Sequence, residues 1–220
     1  MKHLDVSYNK LNGNLSPKIG IFLQLEELIL LKNNFEGTIP STLYELRNLR
    51  IIDLSQNILS GSLSNDIQNL TRLSRLSLAQ NNFSGEIPQG ISLCYMLQEL
   101  DLSLNNFVGR VPDVLKFDSL TSLRLRGNLL VGEIPQSLGS LSDKTLIELD
   151  ISKNQLDGNL DPSVIDLICR MRSRGRNSNL SENKGFVLPE NLSDIGIDII
   201  SLDLSNCSLI GSIPHRLDLY

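Results

Sequence analysis

The chain has no tryptophan, and aromatic residues of all kinds make up 5% of its 220 positions. So few rings leave little for stacking nucleic-acid bases. The net charge of −5 gives no electrostatic footprint for a phosphate backbone, so no nucleic-acid partner is expected. Histidine is nearly absent too: His3 and His215 lie at opposite ends of the chain, where they cannot share a site. Three cysteines, Cys94, Cys169 and Cys207, are too few and too scattered for a zinc centre or a disulfide framework. No glycine-rich phosphate loop, kinase motif or nucleophile elbow occurs. Neither catalysis nor a cofactor or metal is therefore expected. No apolar run approaches the ~18 residues of a membrane span, "LILL" at 28–31 being far too short. No export signal is read ahead of the first motif, which starts at Leu4.

What the chain does have is a composition typical of folded proteins, 40% apolar and 20% charged, arranged as a repeat. Units start at Met1, Leu25, Leu49, Leu73, Leu97, Leu120, Leu146 and Ile199. An asparagine sits eight residues into most of them: Asn9, Asn33, Asn57, Asn81, Asn105, Asn128 and Asn154. A glycine follows four residues later, from Gly13 to Gly158 and again at Gly211. Ile-Pro or Val-Pro closes several units, as at Ile39-Pro40, Ile87-Pro88, Val111-Pro112, Ile134-Pro135 and Ile213-Pro214.

This pattern, LxxLxLxxNxLxGxIPxxLxxLxx, resembles the plant-type leucine-rich repeat over essentially the whole chain. The resemblance implies the extracellular region of plant receptor-like proteins and receptor kinases, or a secreted inhibitor of pathogen polygalacturonases. With it come signalling or defence roles, a place in the apoplast or on the outer face of the plasma membrane, a peptide or protein ligand, and a co-receptor. A fragment with no ligand is a further alternative, because no end caps are read and the chain has the look of a partial member.

Elementary chemistry leads to the same fold. Leucines alternating in LxxLxL make a short strand with one buried side. The asparagine amide can bond backbone groups of the neighbouring turn. One unit cannot bury its own leucines, so units stack around a shared core. The expected fold class is an α/β solenoid, a curved horseshoe of about nine rungs with a parallel sheet on the concave face and irregular or short helical turns outside. One domain, 1–220, is expected: regular repeats over 1–168, an irregular insertion with a degenerate repeat over 169–198, and a final, uncapped repeat over 199–220.

The step of 53 from Leu146 to Ile199 admits an island of about 29 residues or a hidden rung starting at Gly175. The second reading is preferred, since it places Asn183 in the asparagine position and Leu180 inward. Gly175 and Ser178 are poor core residues, so this rung should be underfilled. The run "CRMRSRGR" makes residues 169–184 strongly basic, net +4 from five basic side chains and one acidic. It reads as a solvated loop or as a bulge for an acidic partner. Cys94 is placed inward as a small core residue, Cys207 stands in for a ladder asparagine, and Cys169 falls in the irregular insertion. Possible N-glycosylation acceptors are Asn14, Asn69, Asn82, Asn179, Asn191 and Asn206.

Ligand contacts are expected on the concave face. One outward column reads Asp5, Ile29, Asp53, Ser77, Asp101, Arg124, Asp150 and Asp203; the next reads Ser7, Leu31, Ser55, Ala79, Ser103, Arg126, Ser152 and Ser205. Arg124 falls between Asp101 and Asp150, a structural reason for its presence. Arg126 falls between serines, with Gly127 beside it clearing space. Its forked cation suits a carboxylate or other anion, unless Glu99 reaches it diagonally. Arg75 and Glu99 complete the candidate charged set. Tyr8, Ile29 and Leu31 form a second candidate, an apolar contact patch or a surface covered by a neighbouring segment.

Overall fold

The alternating leucines of each unit settle into three-residue strands. In the computed structural model, which describes residues 1–112, 119–141, 144–189 and 205–212, these strands are β1 (His3–Asp5), β2 (Glu27–Ile29), β3 (Ile51–Asp53), β4 (Arg75–Ser77), β5 (Glu99–Asp101), β6 (Ser122–Arg124), β7 (Glu148–Asp150) and β8 (Asn177–Asn179). All eight pair in parallel, in chain order. Leu28, Leu76, Leu100, Leu123 and Leu149 share one inward row and are at most 1% exposed. The fold is the expected α/β solenoid. The ninth rung's start at Ile199, with Asp203, Asn191, His215 and the Ile213-Pro214 step, lies outside the described residues.

The asparagine ladder ties rung to rung. Asn105 donates from Nδ2 to the carbonyls of Leu78 (2.8 Å), Leu102 (3.2 Å) and Ser103 (3.2 Å), while its Oδ1 accepts the Phe83 N–H (3.0 Å). Leu78 and Phe83 belong to the preceding rung, so one buried amide satisfies backbone groups of two turns. Asn57, Asn81, Asn128 and Asn154 repeat the arrangement.

Beyond the ladder the chain is more regular than expected. A second row of parallel strands follows the asparagines, from Asn12–Asn14 through Asn106–Val108 in one sheet and from Val131–Gly132 to Leu209–Ile210 in another. Holding each turn to its neighbour brings the next few residues to strand spacing, as in the Leu129 N–H to Phe107 carbonyl bond of 2.8 Å. Short 3₁₀ turns such as Ser41–Glu45 and Gln89–Leu93 form the convex side. Cys94 follows one of them and is fully buried, which pushes its thiol up to about 11.

The end of the stretch expected as regular repeats and the first residues of the expected insertion form an α-helix, α1 (Pro162–Ser173). Asp161 caps it by accepting the Ser163 N–H at 2.8 Å, and proline occupies its first turn. Val164, Ile165, Leu167, Ile168 and Met171 are fully buried. The helix packs on the Gln136–Ser140 turn and touches β8, adding these apolar side chains to the core beside the rung that holds Gly175 and Ser178. Gly175 adopts a left-handed φ of +69° just past the helix, where a glycine ends it at least cost.

Three of the four arginines of this run are bonded within the fold, and Arg174 is exposed. Arg170 pairs with Asp166 at 2.7 Å. Arg172 donates to Ser178 Oγ (2.8 Å) and to the Ser205 carbonyl (2.8 Å), bridging toward the last rung. Arg176 donates to the carbonyls of Leu146 (2.6 Å) and Lys144 (2.9 Å). Asn183 takes the ladder role, bonding the carbonyls of Ile151 and Leu180 and accepting the Leu156 N–H. Cys207, 1% exposed, occupies the equivalent position one rung on.

Candidate functional site

Period-two alternation puts Arg124 and Arg126 on the open side of the sheet, because Leu123 and Leu125 are buried. The two side chains are almost equally exposed, 38% and 36%, so exposure does not distinguish them. Their partners do. Arg124 is in lateral register with Asp101 on one side and Asp150 on the other. It pairs with Asp101 at 3.5 Å, as expected, but on the other side it binds Glu148 rather than Asp150. The bond to Glu148 holds the guanidinium above the ordinary arginine pKa, outweighing the effect of partial burial. Arg124 is thus held from both sides.

Asp150 is committed elsewhere. Its Oδ1 accepts the Ser152 N–H (3.1 Å) and hydroxyl (2.5 Å), and its Oδ2 faces Arg126 at 3.8 Å. Arg126 therefore does have an acidic neighbour, contrary to the sequence expectation. A long arginine stem reaches across to the acid two residues before the serine beside it. The diagonal acid is Asp150, not Glu99, because Glu99 pairs with Arg75 at 3.3 Å. Arg126 also donates to Ser152 Oγ at 3.1 Å. Arg75 bridges Glu99 and Asp53, the latter at 3.4 Å. The charged concave surface is a chain of lateral and diagonal pairs, in which Arg126 has the longest contact to a carboxylate among those of Arg75, Arg124 and Arg126.

Gly127 does not clear space. It takes a left-handed φ of +67°, and a Cβ there would lie 2.7 Å from Leu104 Cδ2. This belongs to a column that sequence reasoning missed. The residue before each ladder position is left-handed: Tyr8, Lys32, Gln56, Gln80, Leu104, Lys153, Glu182 and Asn206 have φ of 54–56°. Their varied side chains gave no sign of it; the constant distance to the asparagine was the available signal.

This column also places Tyr8, which stands at a strand end rather than on the sheet, 68% exposed, with Lys32 Nζ 5.2 Å from its ring centre. Ile29 and Leu31 point outward but are half-buried. Ile29 is flanked in register by Asp5 and Asp53, which narrow the apolar patch. His3 sits on the exposed side of β1, 3.0 Å from Glu27. Of the sequons, Asn14 and Asn82 are exposed and Asn69 is half-buried. The Asn179 amide donates to Ser152 Oγ (3.2 Å) and accepts from Ser181, so it is engaged within the sheet. Asn206 is exposed and donates to Asn179. Among the described residues there is no cluster able to hold a metal ion, and no helix is long and apolar enough to cross a membrane.

The leucine-rich repeat family profile matches residues 48–70, 72–94, 96–117, 119–141 and 198–218. No curated protein matches the chain. Solved structures do. The plant peptide hormone receptor RGFR1, in complex with RGF2, is 32% identical, over 84% of this chain and 28% of its own, with a TM-score of 0.77. The Arabidopsis receptor kinase HAESA, with the peptide hormone IDA and the co-receptor SERK1, is 32% identical, over 89% of this chain and 32% of its own, with a TM-score of 0.78. A TDR receptor is 34% identical, over 87% and 32%, with a TM-score of 0.75. The chain spans less than a third of the length of each. With its asparagine ladder, stacked parallel strands and matched repeats, the chain belongs to the leucine-rich repeat family, in the plant-type form found in receptor ectodomains.

Proposed function

We propose that the chain is a non-catalytic recognition module that holds a peptide or protein segment along its concave sheet, on the extracellular side. Arg126 takes an anionic group of the ligand, such as a carboxylate. The observation that carries this reading is the contrast between the two arginines. Arg124 is bound on both flanks, whereas the carboxylate nearest Arg126 lies at 3.8 Å, beyond hydrogen-bond distance. A guanidinium offers a planar fork of donors to an incoming carboxylate, and Ser103 and Ser152 beside it bring no competing charge. The similarity to peptide-bound receptor ectodomains supports the same class of ligand and a co-receptor as a second partner.

The test is a screen of the immobilised chain against synthetic peptides, each made with a free C-terminal carboxylate and as the amide. The reading expects binders drawn from the free-acid set that weaken at least tenfold on amidation or on neutralising an internal acid. Binders indifferent to both changes would count against it.

A further inference from the structure

We infer that Ile29, Leu31 and Ile51 form an apolar subsite for a side chain of the same peptide whose acid Arg126 takes, about six residues away along that peptide. The inference rests on the recognition reading above. The three side chains point outward from the concave sheet and are half-buried. Ile29 and Leu31 lie two residues apart on one rung. On the next rung Ile51 is in register with Glu27, and Ile29 with Asp53. Ile51 and Ile29 are therefore diagonal neighbours, within reach of each other for large side chains. Both β2 and β3 have a paired strand on each side, so this exposure belongs to the face of the sheet and not to an end of the stack. An apolar ligand group seated here removes three aliphatic side chains from water at once.

Backbone bonds connect this group to Arg126. The N–H groups of Lys32, Gln56, Gln80 and Leu104 donate to the carbonyls of Ser55, Ala79, Ser103 and Arg126 at 2.7–2.9 Å. Leu31 and Arg126 therefore stand in one column, and the three rungs between them place no charge in it. Four strand spacings of about 4.8 Å separate the two, roughly 19 Å in all, and an extended peptide rising about 3.3 Å per residue covers that in about six residues. Side chains of an extended chain alternate, so an even separation turns both ligand groups toward the sheet.

Charge along the sheet sets which ligand group goes where. The outward positions of β1, β2 and β3 hold Asp5, Glu27 and Asp53 and neither lysine nor arginine. Arg75 reaches back to Asp53. Hydrogen bonds from the Ser7 side chain and N–H hold Asp5 below the ordinary carboxylate range, so it is charged at neutral pH. A ligand acid is repelled at this end and attracted at Arg126. The occupant of the apolar subsite is therefore a neutral aliphatic or aromatic side chain with no acid beside it. The peptide crosses the rungs with its anionic group toward β6.

The experiment titrates the 220-residue chain with synthetic serine-rich peptides carrying one glutamate and one leucine. The leucine is moved place by place from beside the glutamate to well beyond the expected spacing, on either side of it. Affinity is expected to peak with the leucine about six residues from the glutamate, at least tenfold above the same peptide with alanine in that place. Leu31→Ser is expected to remove the preference, binding the leucine and alanine peptides within about threefold of each other. Thermal midpoints are measured alongside, and Ile51→Thr, which keeps a β-branched residue in the strand, replaces Leu31→Ser if that change lowers the midpoint. Binding that needs the glutamate but is indifferent to the leucine or its spacing would overturn the subsite and leave the Arg126 reading standing. A leucine preference that survives the substitution would overturn it as well. So would self-association of the chain that Leu31→Ser abolishes, which gives the patch to a second copy. Binding by no peptide, or binding indifferent to the glutamate, would sink the Arg126 reading and this inference with it.

Discussion

At the scale of single residues, side chains that look alike in the repeat have unlike duties. Arg124 and Arg126 are two residues apart on one strand and similarly exposed, yet one is paired on both flanks and the other is not. Their outward direction was legible in the LxxLxL alternation. Their partners were not, because lateral register alone does not tell whether a long side chain goes straight across or diagonally. The ladder asparagines were legible from spacing, and their energetics can be tested. Asn105 is 6% exposed and satisfies three carbonyls and one N–H. Asn105→Ala strands these groups and is expected to cost about 2–4 kcal/mol, more than one net hydrogen bond, since buried polar groups lose their partners. Urea unfolding followed by circular dichroism reads this directly, and a loss under 0.5 kcal/mol would contradict the ladder's structural role.

At the scale of elements, α1 is the main departure from the repeat. Its signals were present in the sequence: Asp161-Pro162 is a helix start, and Val164, Ile168 and Met171 fall at helical spacing. They were masked by the expectation of a uniform repeat and by the four arginines, which drew attention to charge. Arg170, Arg172 and Arg176 are bonded to backbone and side-chain oxygens, and the apolar face is in the core. The helix adds five fully buried apolar side chains beside a rung whose strand holds Ser178 at its inward position. Met171→Ala is therefore expected to destabilise the chain by about 2–5 kcal/mol, the range for a fully buried large-to-small change. Hydrogen exchange should show the loss of protection concentrated in β7, β8 and α1, because a solenoid couples mainly through nearest neighbours. Uniform loss from β1 to β8 would contradict that placement.

At the scale of the whole molecule, the stack turns a local rule into a surface. Every rung contributes the same outward positions, so departures from Asp or Ser stand out along the columns: Ile29, Leu31, Ala79, Arg124, Arg126 and Asn179. The fold was almost wholly legible from period and composition, because one repeat solved is all repeats solved. The candidate site was legible as a list of outward residues but not as a network, since the diagonal pairs Arg75–Asp53, Arg124–Glu148 and Arg126–Asp150 depend on side-chain reach. The second strand row and the left-handed column arise from how turns stack, which no single unit displays.

The central claim, that the concave face works through Arg126, is tested most directly by affinity. A free-acid peptide from the screen is titrated against wild type, Arg126→Ala and Arg124→Ala, with thermal midpoints alongside. The account predicts that Arg126→Ala binds at least tenfold more weakly with its midpoint little changed, as for an interface arginine worth on the order of 2 kcal/mol. Arg124→Ala lowers the midpoint slightly and binds within about threefold of wild type, as for an exposed ion pair of ~0–1 kcal/mol. Wild-type affinity in Arg126→Ala would contradict it.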